Sequence, residues 1–90
     1  MSKVIVKGFI AVPEAELALI IQELAVHKNL TQKEVGCLVF DVTQRAENPS
    51  HFDVYEEFID NAAFNKHQER VKNSRWGEIT GNVERHYIVM

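Results

Sequence analysis

Apolar and polar residues alternate from Lys3 to Val12, and this stretch is rich in Val and Ile, which predicts a first strand. The period then lengthens. Pro13 suits a first helical position, Glu14 and Glu16 suit the first turn, and Leu17, Ile20, Ile21, Leu24 and Lys28 trace one helical stripe. Thr31-Gln32-Lys33-Glu34 has capping-box spacing and predicts one short extra turn, ended by Gly36. Cys37 to Gln44 reads as a second strand. Arg45 to Ser50, with Asn48-Pro49, reads as a connection, and His51 to Phe58 as a third strand. A second helix is expected from Asn61 to about Asn73. An irregular stretch follows from Arg75 to Asn82, then a fourth strand from Val83 to Val89.

The order β-α-β-β-α-β is that of a ferredoxin-like α+β fold with a four-stranded antiparallel sheet. Right-handed crossovers put strands one and three in the centre and both helices on one face. Strands one, two and four carry apolar residues of both parities: Ile5 and Phe9 oppose Val4, Val6 and Ile10, and Val39 opposes Leu38, Phe40 and Val42. A sheet apolar on both faces with helices on one side only implies a homodimer formed face to face.

Composition narrows the picture. Ninety residues, 46% of them hydrophobic, make a single domain over residues 1–90 with more apolar surface than a small monomer readily hides. Ten basic and thirteen acidic residues are interspersed, for a net charge of −3, so no basic stripe points to nucleic acid. No run approaches a membrane span, and the N-terminus is a poor signal peptide. The one cysteine fits a reducing, cytoplasmic setting.

The chemistry concentrates in Phe52 to His67. Phe52, Val54, Glu56 and Phe58 share one strand face, so Glu56 sits on otherwise apolar ground, where a carboxylate is costly unless paired. After a turn at Asp60-Asn61, Phe64, His67 and Val71 form one stripe of the second helix. An acid and an imidazole therefore aim at apolar interior, as they would in a ligand pocket or as two satisfied buried groups. Glu56 is read first as an anchor of the strand-to-helix turn, bonded to backbone N–H groups, and otherwise as a partner for an imidazole or a substrate hydroxyl.

Other candidates each carry a plainer alternative. Phe40, Phe58, Phe64 and Trp76 can wall a pocket or simply fill a core. His27 lies at the edge of the first helix's stripe, as a pocket-rim residue or a partly exposed residue near the helix end. Tyr55 has the parity of the sheet's other face and suits an interface. Cys37 has no adjacent histidine or CxxC partner and reads as a small hydrophobe. Histidines 27, 51, 67 and 86 show no HxH or HExxH spacing, which argues against a metal site. Arg85 and His86 have opposite parity, so at most one reaches the helix side.

Taken in order, EVGCLVFDV, HFDVYEEFIDNAAFNKHQ and VERHYIV resemble the antibiotic biosynthesis monooxygenase domain family. The resemblance spans nearly the whole chain, and its sharpest pieces are Gly36-Cys37, Tyr55-Glu56, Phe58, Ala63-Phe64 and His67. It implies a ferredoxin-like domain paired into a dimeric α+β barrel. It also implies a cofactor-independent oxidation of a small phenol, quinol or anthrone by O2, with His67 as base and Glu56 beside it. The family also contains haem-degrading enzymes and an isomerase of a phosphorylated signal. The haem branch carries a strand-one asparagine and a tryptophan near the end of strand three. Here strand one has no asparagine and the latter position is Phe58, although His67 remains a conceivable axial ligand. Three alternatives stay open on the same scaffold: a haem-degrading monooxygenase, an isomerase of a small carbonyl compound, and a non-catalytic dimeric binding module. The scattered Lys and Arg weigh against an anionic isomerase substrate.

Overall fold

The computed structural model describes residues 2–90. Strands β1 (Val4–Ala11), β2 (Cys37–Gln44), β3 (His51–Phe58) and β4 (Glu84–Val89) form one antiparallel sheet in the order β2-β3-β1-β4. Helices α1 (Leu17–Gln32) and α2 (Asn61–Lys72) are the crossovers, and a short α3 (Arg75–Ile79) precedes β4. This is the expected α+β ferredoxin-like arrangement, with β1 and β3 central.

The parity of the strands decides what the helices cover. Val4, Val6 and Ile10 of β1 and Phe52, Val54, Glu56 and Phe58 of β3 are all buried. Two apolar clusters result. In one, Ile10, Val12, Phe52, Val54 and Val83 pack with Ile20 of α1, and Trp76 and Ile79 of α3 lie against them. In the other, Val4 and Phe58 pack with Ala63 of α2, flanked by Cys37 and Phe64. Burying side chains of this size contributes about 1.5–3 kcal/mol each. The buried polar residues are His27, Thr31, Glu56, His67 and Thr80 among the described residues.

Four local expectations need correction. First, Thr31 and Gln32 do not start a new turn; they are the last two residues of α1, and Glu34 turns inward to Arg70 and His67. Thr31 accepts a hydrogen bond from Arg70 at 2.8 Å, so its hydroxyl is spent on α2 and not on a cap. Second, the buried stripe of α1 is Ile20, His27 and Thr31, whereas Ile21 is 44% exposed. The polar His27 and Thr31 hid the true face. Third, His27 is not a partly exposed helix-end residue, being only 5% exposed. Fourth, Arg75–Ile79 is helical: Ser74 caps it, accepting from the Gly77 N–H at 3.2 Å, and the Thr80 hydroxyl donates to the Trp76 carbonyl at 2.6 Å.

Two glycines hold this frame. Gly36 adopts φ +93° in the α1–β2 turn, where a Cβ would lie 2.6 Å from that of Ala63. A Cβ on Gly77 would meet the Val71 carbonyl oxygen at 2.2 Å, so only glycine lets α3 dock on the end of α2.

The sheet's second face carries Ile5, Phe9, Val39, Tyr55 and Ile88 among charged residues, as the strand pairing dictates. There Phe9 stacks between His86 and His51, with ring centroids 4.6 Å and 5.2 Å away, and Arg45 lies 4.8 Å over its ring. Among the described residues no helix is long and apolar enough to cross a membrane.

Candidate functional site

Strand alternation in β3 carries Glu56 to the helix side, and Asp60 sets the direction of the following helix. Its carboxylate accepts from the Ala63 N–H at 2.8 Å, an N-cap that starts α2 and turns its Phe64–His67–Val71 stripe inward. The result places His67 (4% exposed) beside Glu56 (6% exposed). The His67 Nε2 lies 3.7 Å from a Glu56 oxygen, within ion-pair range but beyond a hydrogen bond. Glu56 is therefore not the anchor of the β3–α2 turn; Asp60 performs that task, and Glu56 faces the imidazole.

The other ring nitrogen is held by a residue that the sequence pattern assigned to a cap. His67 Nδ1 lies 3.1 Å from a Glu34 carboxylate oxygen. Glu34 in turn accepts from the Arg70 guanidinium, and Arg70 donates to Thr31 at 2.8 Å. An ionised carboxylate can only accept, so Nδ1 carries the proton and the neutral ring keeps its lone pair on Nε2, on the Glu56 side.

The electrostatics favour that state. Burial pushes the His67 imidazole below its ordinary value, with Glu34 opposing and Arg70 assisting the shift. Burial, helped by repulsion from Glu34, pushes the Glu56 carboxyl up to about 7. Near neutral pH the pair thus comprises a neutral, lone-pair-bearing imidazole and a carboxyl near its midpoint, both suited to moving a proton.

His27 and Trp76 build the adjoining wall. Their rings stack with centroids 4.6 Å apart and 6° between planes, and Phe40 meets His27 edge-on at 5.4 Å. The His27 Nδ1 is buried with no hydrogen-bond partner. Burial, with Arg70 and His67 nearby, pushes this imidazole down to about 3, so it is neutral across the physiological range.

These groups border a cavity of about 440 Å³, within the range of small-molecule sites. His27, Glu56, Phe64, His67 and Trp76 line it together. Phe40 borders instead a small adjoining crevice with His27, Glu56 and Trp76. Phe58 does not reach the cavity: it is fully buried, its ring 4.9 Å from that of His67 and 5.6 Å from that of Phe64, and it serves as a floor. Of Arg85 and His86 it is Arg85 that reaches the cavity, and three polar residues missed from sequence complete the lining: Gln68 and Lys72 of α2, and Tyr87 of β4. The parity of β4, which separates Arg85 from His86, was also the available signal for Tyr87. Tyr87 is 39% exposed, yet burial around its phenol, reinforced by Glu56, pushes it up to about 12.

A second, more apolar depression of about 520 Å³ lies beside the α1–β2 turn, where Glu34 and Arg70 are already committed to each other. Among the described residues no group of three or more His, Cys, Asp or Glu is spaced to hold a metal ion; Glu34 and Glu56 face opposite nitrogens of His67 and do not converge. Burial raises the Cys37 thiol above its ordinary value, away from nucleophilic character.

A search for curated relatives of the sequence finds no match. Solved structures share the fold closely. A proposed antibiotic biosynthesis monooxygenase from Nitrosomonas europaea superposes with a TM-score of 0.83 at 18% identity, covering 98% of this chain and 86% of the other. Another from Deinococcus radiodurans gives 0.80 at 23% identity, covering 97% and 89%. At such identities the likeness speaks for the fold. The family model for antibiotic biosynthesis monooxygenase matches residues 3–76, which include β1 to β3, both crossover helices and the His67–Glu56 pair. With that match over most of its length, the chain belongs to the antibiotic biosynthesis monooxygenase family.

Proposed function

We propose that this protein oxidises a small phenol, quinol or anthrone with molecular oxygen, using no metal or flavin, with His67 as the base. The observation that carries the reading is His67 itself. It is buried at the cavity wall, fixed through Nδ1 by Glu34, and presents its lone pair toward Glu56 and the cavity. A phenolic O–H brought to Nε2 loses its proton, leaving an electron-rich anion. That anion passes one electron to O2, and the radical pair combines to a ring hydroperoxide. Loss of water leaves a carbonyl at the attacked carbon. The atoms balance without an added reductant: a quinol and O2 give a hydroxyquinone and water, and the ring supplies every electron. The aromatic groups Trp76 and Phe64 wall the cavity beside the pair and reduce its contact with water.

The active unit on this reading is a homodimer closed over the second face of the sheet, where Ile88 (66% exposed) and Val39 (36% exposed) would otherwise meet water. The residues 1–90 then act as one domain per subunit. Turnover of a quinol under ¹⁸O2 tests the oxidation. One labelled oxygen in the product and one in water is the expected outcome, and an unlabelled product rules out a monooxygenase. The Glu56–His67 pair also supports a second reading, isomerisation of a small carbonyl compound by proton transfer alone; it predicts turnover without oxygen uptake.

A further inference from the structure

Two of the ten basic residues that look scattered along the sequence meet in the fold at one cavity. The chain carries a net charge of −3, yet its cavity is lined by two cations, Lys72 and Arg85, and one carboxylate, Glu56. Among the described residues, Arg45, Arg70 and Arg75 each pair with a carboxylate: Asp53, Glu34 and Glu23 respectively. Neither Arg85 nor Lys72 has a carboxylate within ion-pair distance among the described residues.

Arg85 is instead held in place by neutral oxygens. Its guanidinium donates to the Thr80 hydroxyl at 2.6 Å and to the carbonyls of Thr80 and Val83 at 3.3 Å and 3.4 Å. Thr80 is 1% exposed, and its own hydroxyl is fixed on the Trp76 carbonyl. These bonds orient the fork without neutralising it. They occupy three of a guanidinium's five N–H donors, and the rest lie beside the Tyr87 phenol on the same wall. A planar cation fixed at a cavity wall with N–H donors that no carboxylate has taken suits the oxygens of a carboxylate.

We propose that the cavity takes its aromatic substrate as a carboxylate, with Arg85 as the anchoring fork and Lys72 supplying a second positive charge from α2. The inference rests on the phenol- or quinol-oxidising reading for the aromatic part of the ligand, and it assigns the end of the molecule remote from His67. The substrate class is then a hydroxylated aromatic acid. The cavity volume of about 440 Å³ suits one or two rings. Burial of Glu56 favours its protonated form and so lessens the negative charge facing the anion.

The test is anaerobic calorimetric titration of the whole chain with 2,5-dihydroxybenzoate and with 2,5-dihydroxybenzamide, which share the quinol ring and differ in charge. The acid is expected to bind about tenfold tighter or more. Arg85→Met should abolish that preference, and Lys72→Met, at an exposed position, should reduce it several-fold. Added salt should weaken the acid and not the amide. Equal affinities, no binding of the acid at millimolar concentration, or a preference undiminished in both variants overturns the proposal. Oxygen uptake on the same samples separates the two readings. Preference for the acid without oxygen consumption keeps the anion site and removes the oxidation. Oxidation of the amide as readily as the acid keeps the oxidation and removes the anion site.

Discussion

Glu56→Gln should make the protein more stable at alkaline pH, by an amount the burial of this one carboxyl sets. Glu56 is 6% exposed and titrates at about 7 in the folded chain, against an ordinary value of 4.5. The folded state therefore holds this proton more tightly than the unfolded state. Stability is greatest below the unfolded value, falls as pH rises from about 4.5 to about 7, and stays low above it. At 1.36 kcal/mol per pH unit the loss is about 3 kcal/mol. Glutamine keeps the shape and the hydrogen-bonding capacity but cannot ionise. Urea unfolding of both proteins at pH 5 and pH 8.5, at one protein concentration, measures the effect. The variant should gain about 2–3 kcal/mol on wild type between the two pH values. A difference between the two proteins that is the same at both pH values would falsify the assignment of Glu56 as a desolvated, uncompensated acid. In turnover the same variant should lose less than His67→Ala, because Glu56 assists the base; a larger loss would mean that the two roles are reversed.

Acid stability reports on His27. Its imidazole is depressed from 6.5 to about 3, so stability is complete above 6.5 and lost as pH falls toward 3, by roughly 4–5 kcal/mol. His27→Phe, which keeps the stack on Trp76, should shift the acid unfolding midpoint downward in a circular dichroism titration; an unchanged midpoint contradicts the burial argument. Sedimentation equilibrium should find twice the 10.3 kDa chain mass, and a stable monomer at micromolar concentration removes the proposed dimer. Turnover should survive exhaustive chelation, because the residues around His67 do not converge on an ion; activity restored only by added metal would count against the mechanism.

Much of the fold was legible because periodicity is a direct consequence of which face is buried. The β3 alternation, the Asp60 turn and the Phe64–His67–Val71 stripe all stand in the structure as the pattern implies. The misreadings share one cause: polar residues used internally look, in sequence, like surface or capping residues. Thr31 and Glu34 have the spacing of a cap, but their partner is Arg70, more than thirty positions away. His27 broke the apparent stripe of α1 because its burial is supplied by Trp76 on a distant short helix. That helix was itself hidden by Gly77, whose low helix propensity is overridden by a close approach to Val71. Glu56 and His67 could be flagged from local pattern and Arg85 narrowed to by β4 parity, whereas Glu34 and Lys72 join them only through tertiary contacts.

The central claim is that His67 is a positioned base and not only a well-buried side chain. Initial rates of oxygen uptake with a quinol, expressed per folded molecule for wild type and His67→Ala, test it most directly. The account predicts a fall of about 10²–10⁴-fold in the variant. Wild-type turnover from folded His67→Ala would contradict it.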